Sequence, residues 1–206
     1  LSTLRKRGML ETYEVETTRL QQPQRAEGDP VLTKPLSADQ QRAAKEIDQA
    51  FAQKQVCLLH GVTSSGKTEV YIDLIRRTLE RGQEVLFLVP EIALTTQLTT
   101  RLGRVFGPQM GVYHSKFPDA ERVELWKRQL SDEPFPLILG VRSAVFLPFK
   151  KLGLVIVDEE HETSYKQQDP APRYQGRDAA IMLARRLGAK VLLGTATPAV
   201  ETYHNA

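Results

Sequence analysis

VCLLHGVTSSGKT (56–68) runs from a short apolar segment straight into the pattern G-x-x-x-x-G-K-[ST], and an apolar stripe of helical period, Ile72, Ile75 and Leu79, follows it as far as Gly82. Strand, glycine-bearing loop and helix in that order form a cradle for phosphate. Gly61 and Gly66 permit backbone conformations that a Cβ would obstruct. The loop N–H groups, those of Thr63, Ser64 and Ser65 included, then turn inward, and the positive end of the following helix adds to their pull on an anion. Lys67 brings a point charge to the β- and γ-phosphates. The Thr68 hydroxyl suits Mg²⁺, which keeps several waters and binds through few protein oxygens. The expected ligands are therefore a nucleoside triphosphate, ATP, and Mg²⁺.

Outward from this loop the same alternation repeats. Apolar runs stand at VCLLH (56–60), EVLFLV (84–89), GVYH (111–114), LILGV (137–141), LVIVD (154–158) and KVLLG (190–194). Most are too apolar for strands exposed on one face, which predicts an α/β fold: a mostly parallel sheet sandwiched by helices. Further helical stripes are Leu94, Leu98 and Leu102, then Val123, Trp126 and Leu130; Trp126 is expected in the core. Before Leu36 the chain is polar and irregular. QQPQRAEGDP (21–30) reads as a linker, and LRKRGMLETYEVE (4–16) either as the end of a basic helix followed by a ribbon or as a disordered basic tail.

The 206 residues are 41% hydrophobic, enough to bury the core of one compact domain. Lys and Arg number 28 against 25 Asp and Glu, a balance that tolerates an anionic partner without demanding one. A single cysteine, Cys57, excludes an intrachain disulfide and suits a reducing compartment. With no apolar run of membrane length and no secretory signal, a cytoplasmic protein without a membrane partner is expected. The segment TYHNA (202–206) closes nothing after a strong motif, so the chain is expected to be a piece of a longer protein.

LVIVDEEH (154–161) supplies what a phosphate loop needs in order to hydrolyse. Asp158 ends an apolar strand, so its carboxylate is expected at the edge that carries the loop, facing Mg²⁺. Glu159 is then the base for the attacking water. Alone, such a string is a charged turn more often than a catalytic site; the phosphate loop reverses that. GTATPAVE (194–201) follows another apolar strand, and its Thr195 and Thr197 form a polar turn able to approach the acidic box, although by composition it is an ordinary strand-to-helix turn. In TSYKQQDPAPRYQGRD (163–178), Tyr165 and Tyr174 are of the type that stacks on bases, and Lys166, Arg173 and Arg177 of the type that meets phosphates; the residues alone equally suit a structured loop whose tyrosines plug the domain's edge. Arg142 and Ser143 offer a charge and a hydroxyl to a phosphate backbone.

Taken together, GVTSSGKT, DEEH and GTATP in this order and spacing resemble the superfamily 2 helicases, whose first RecA-like domain carries motifs I, II and III in these forms. VPEIALTTQ (89–97) and GVRSA (140–144) look like motifs Ia and Ib, and LSADQ (36–40) like an adenine-reading element with Gln40 as reader. GVRSAVFLPF (140–149) and DEEHETSYKQQDPAPRYQGRDAA (158–180) are similar to a bacterial replication-restart branch. The resemblance implies a RecA-like lobe over 36–206, a linker over 21–35, and in 1–20 the end of an upstream winged-helix domain. It implies an ATP-dependent DNA helicase of replication restart and primosome assembly. Its partners would be single-stranded or forked DNA, primosome proteins and single-strand-binding proteins, and its second RecA-like lobe would lie outside these residues. The same family gives 163–178 a role in sensing single-stranded DNA and His161 a role in linking the acidic box to GTATP. Two other readings stay open: a nucleotide-dependent switch that binds DNA or protein without unwinding, and an RNA helicase.

Overall fold

The computed structural model describes residues 35–62, 66–114 and 117–206. The expected winged-helix end, and the linker as far as residue 34, lie outside them. Six strands form one sheet: β1 (Val56–His60), β2 (Glu84–Leu88), β3 (Met110–Tyr113), β4 (Leu137–Gly140), β5 (Leu152–Asp158) and β6 (Lys190–Thr195). Every pairing is parallel and the order is β1-β6-β5-β2-β4-β3. The α/β expectation and all six apolar runs thus meet their strands.

Six α-helices complete the fold among the described residues: α1 (Ala38–Gln53), α2 (Lys67–Glu80), α3 (Thr96–Phe106), α4 (Asp119–Leu130), α5 (Gly176–Leu187) and α6 (Val200–Asn205). Local chemistry fixes their ends. Ser37 and Gln40 cap α1 reciprocally through side chain and backbone, and α5 stops at Gly188, whose φ of 73° suits a glycine. Alternation along β2 sends Val85 and Phe87 into one core with Tyr71, Ile75 and Ile156, and Leu86 and Leu88 into a second with Val155, Tyr165 and Ala180. The sheet is therefore covered on both faces. Because all strands run the same way, their carboxyl ends share one edge, where ligands of open α/β sheets sit. No helix among the described residues is long and apolar enough to cross a membrane.

Two sequence expectations are corrected. The helix expected from Leu94 starts at Thr96, because the Thr95 side chain accepts the N–H of Leu98 and ends the preceding turn. The stripe Val123, Trp126 and Leu130 does not face the core: these residues are 54%, 42% and 55% exposed. Helix α4 instead buries Leu125 and Gln129. Gln129 belongs inside because its amide accepts the Phe135 N–H at 2.8 Å and donates to the Phe135 carbonyl at 3.4 Å. A satisfied amide on the inward line made the wrong face look apolar. Leu125→Ala should therefore lower stability by about 2–5 kcal/mol, while Trp126→Ser should stay within about 0.5 kcal/mol; denaturant unfolding of the two variants checks this.

A candidate nucleotide site at the carboxyl edge of the sheet

The phosphate loop leaves β1 at His60, and the Gly61 N–H continues the ladder by donating to the Thr195 carbonyl at 3.0 Å. Gly66, with φ 80°, turns the chain into α2, and a Cβ at this position would overlap the Gln40 amide. Thr63, Ser64 and Ser65 lie outside the described residues. Thr68 follows Lys67 in the first turn of α2. Lys67 is nearly buried; its ammonium donates to the Gly61 carbonyl at 2.8 Å and stands 3.8 Å from the Glu159 carboxylate. Gln40, expected to read a base, spans two structures: its carbonyl accepts the Ser37 N–H at 2.9 Å and its amide donates to the Gly66 carbonyl at 3.2 Å.

Asp158 ends β5 opposite Gly194 of β6. The Tyr71 hydroxyl donates to its Oδ1 at 2.8 Å, and the Tyr165 hydroxyl donates to its backbone carbonyl at 2.7 Å. Loss of solvent is the largest influence on the carboxyl and pushes its pKa up. The Tyr71 hydrogen bond and the Lys67 charge pull it partly back, while Glu159 opposes them. Glu159 adopts φ 47°, a left-handed conformation that costs a non-glycine residue about 1–3 kcal/mol. That turn sets its carboxylate between Lys67 and the His161 ring, 3.7 Å away.

Glu160 points the other way and is fully buried. It accepts the Ala199 N–H at 2.7 Å, the Arg177 guanidinium at 2.9 Å and the Thr202 hydroxyl at 2.9 Å. Burial alone would raise its pKa; these donors outweigh burial and hold the carboxyl below its usual value. The His161 Nδ1 lies 2.7 Å from the Thr195 hydroxyl and its Nε2 3.3 Å from that of Thr197. The DEEH turn is thus stitched to GTATP on both sides.

The residues expected to meet nucleic acid divide. Tyr165 is 1% exposed and its hydroxyl is spent on Asp158, so its ring is core and does not stack on a base. Arg177 is committed to Glu160, Asp178 and Thr202, an internal ion pair rather than a phosphate contact. Both corrections have one cause: a loop that must hold the acidic box uses its own aromatic and cation to do so. Arg142 and Ser143 are half-buried in a 3-10 turn, Arg142–Phe146, where Arg142 donates to the Ser164 carbonyl at 2.9 Å. Lys166 and Arg173 are exposed, and the Lys166 ammonium donates to the Arg173 carbonyl at 2.6 Å. Tyr174 packs edge-on against Phe146 with centroids 4.9 Å apart. Phe146, 53% exposed, was not among the expected site residues. Tyr71, Gly194 and Glu160 were missed as well. The signal for Tyr71 was its spacing, four residues after Lys67 and so on the same helix face.

A phosphate loop and an adjacent acidic pair on one edge of a parallel sheet define a P-loop NTPase lobe. A family model described as DEAD/DEAH box helicase matches residues 37–206, and the chain belongs to that family. Among curated proteins it is similar to the replication restart protein PriA of Chlamydia trachomatis, 47% identical over 173 residues that cover 83% of this chain and 23% of that protein. It is similar also to the protein of that name from Haemophilus influenzae, 41% identical over 207 residues, covering 99% of this chain and 28% of that protein. The chain thus spans about a quarter of the length of these relatives. The crystal structure of the UvsW helicase from bacteriophage T4 superposes with a TM-score of 0.52 at 20% identity, covering 77% of this chain and 51% of that one, a likeness of fold alone.

Glu160→Ala leaves Arg177 only the exposed Asp178 as carboxylate partner and the Ala199 N–H without its acceptor, and should cost about 1–3 kcal/mol. Glu160→Gln, which keeps an acceptor for the Ala199 N–H, should cost less. Denaturant unfolding ranks the two.

Proposed function

We propose that this lobe is the first half of an ATP-driven DNA helicase motor serving replication restart, with Mg-ATP bound against 61–68 and 158–159 and single-stranded DNA crossing the edge formed by 142–146 and 166–174. The observation that carries the reading is the approach of Lys67 and Glu159, brought from distant parts of the chain to 3.8 Å. Lys67 exchanges the Gly61 carbonyl for the β- and γ-phosphate oxygens. Glu159 then stands beside the terminal phosphate and takes a proton from the attacking water.

The donor set fits Mg²⁺. Thr68 and Asp158 would hold it, one hydroxyl and one poorly solvated carboxylate, and among the described residues no cluster of three or more His, Cys, Asp or Glu side chains competes for a metal. When bound, the ion neutralises charge developing on the phosphate oxygens. His161, between Glu159 and the hydroxyls of Thr195 and Thr197, relays the state of the base to GTATP. The track is DNA by likeness to the restart proteins. The exposed Phe146 and the half-buried Tyr174 offer faces for bases, and Lys166 and Arg173 offer charge for phosphates. Such a motor is completed by a second RecA-like lobe that supplies an arginine to the γ-phosphate, and works with primosome and single-strand-binding proteins.

In the intact protein, Glu159→Gln should leave ATP affinity near that of the wild type and lower turnover by about 10² to 10⁴. A variant that binds and still hydrolyses normally refutes the base assignment. Tyr174→Ala should weaken single-stranded DNA binding by about 1–3 kcal/mol for the one stacked base, read by fluorescence anisotropy. Failure of DNA to stimulate the wild-type ATPase would remove the track.

A further inference from the structure

Asp158 is gripped from both faces of the sheet by tyrosines that lie outside the phosphate loop, the acidic box and the GTATP turn. Tyr71 comes from α2 and the first core, Tyr165 from the second. Both are essentially without solvent, at 0% and 1% exposure. A buried phenol needs a partner for its hydroxyl, and a backbone carbonyl would serve. Tyr165 takes that course, on the carbonyl of Asp158 itself. Tyr71 spends its hydroxyl on the carboxylate instead.

The distinction matters because the last torsion of an aspartate is broad and roughly two-fold, so backbone placement alone does not orient its oxygens. A donor at 2.8 Å on Oδ1, mounted on a ring that packs edge-on against Phe87, restricts that rotation. Space for the donor is provided by a neighbouring strand. Gly194 pairs with Asp158 in the β5–β6 register, and a Cβ there would overlap the Tyr71 hydroxyl and come within 2.9 Å of the ring carbon that bears it. Tyr71 also stands three residues after Thr68, so one rigid helix carries both the hydroxyl assigned to the cation and the group that aligns the carboxylate opposite.

We propose that Tyr71 is a positioning residue for the metal-facing carboxylate of Asp158, and that Gly194 is a glycine in order to admit its hydroxyl. The proposal rests on the assignment of Asp158 to the cation made above. Tyr71→Phe keeps the ring and removes only the hydrogen bond.

The test uses the intact protein and a fluorescent ATP analogue titrated with Mg²⁺, beside ATPase rates and melting without nucleotide. In Tyr71→Phe, half-saturating Mg²⁺ should rise and kcat fall by about tenfold each, the scale of one hydrogen bond to a charged group. KM for ATP and affinity in EDTA should stay within about twofold. Gly194→Ala, which pushes the phenol off the carboxylate, should give the same rise in Mg²⁺ demand; where it does not fold, Tyr71→Phe gives the result alone. A Tyr71→Phe protein that melts earlier yet keeps wild-type Mg²⁺ demand and kcat reduces Tyr71 to packing and overturns the proposal. A parallel loss of affinity in EDTA overturns it too, since the loop rather than the carboxylate is then disturbed. Wild-type binding that ignores Mg²⁺ removes the assignment of Asp158 and this proposal with it.

Discussion

Strand β6 sets the geometry on which the site depends. It lies between β1, which delivers the phosphate loop, and β5, which delivers the acidic box, and both segments continue to pair with it after their own strands end. The Gly61 N–H reaches the Thr195 carbonyl at 3.0 Å and the Glu160 N–H reaches that of Gly194 at 3.2 Å. Lys67 and Asp158 do not come from adjacent strands. The strands that deliver them, β1 and β5, are kept apart by one intervening strand, about 4.8 Å on either side, and parallel pairing places both segments at the carboxyl edge. An antiparallel β6 would leave neither amide with that carbonyl, and GTATP would leave from the far edge of the sheet.

The acidic box combines strain and anchoring in four consecutive residues. Glu159 alone is left-handed, which throws its carboxylate toward Lys67. Its neighbours oppose relaxation of that turn: Asp158 by two phenols, Glu160 by three donors and His161 by two hydroxyls. A conformation costing about 1–3 kcal/mol persists where the surroundings over-determine it. A single charge-assisted network of the Glu160 kind is of that order or more.

Much of this was legible in the sequence because the strands are buried on both faces and so write themselves as apolar runs, each followed by a turn of unusual chemistry. What was hidden follows a different rule. Gln129 and Glu160 are polar residues in fully buried positions, satisfied by partners far away in the chain or on an irregular turn, and periodicity reads them as surface. Trp126 and Leu130 are the converse, apolar residues left outside because Leu125 and Gln129 took the inward line. Helix spacing alone admits both faces; the choice is made by tertiary contacts. Tyr71 was hidden for a third reason: as an aromatic on an apolar helix face it looks like any core residue, and its spacing from Lys67 gains meaning only with its 2.8 Å contact to Asp158.

The corrections at Tyr165 and Arg177 bear on how the 163–178 segment is tied to the acidic box. Had both residues faced solvent, 163–178 would be an ordinary surface loop, free to move without disturbing Asp158 and Glu160. Instead its first part is bonded inward through Tyr165 to Asp158, its end through Arg177 to Glu160, and Arg142 closes the gap by donating to Ser164. Gly176 packs against Arg142 so closely that a Cβ would lie 2.8 Å from the arginine's own. The exposed Lys166 and Arg173 and the half-buried Tyr174 thus stand on a segment fastened to two residues of the acidic box, Asp158 and Glu160. The acidic box and the surface of 163–178 are therefore parts of one hydrogen-bonded unit, joined at Asp158 through Tyr165 and at Glu160 through Arg177.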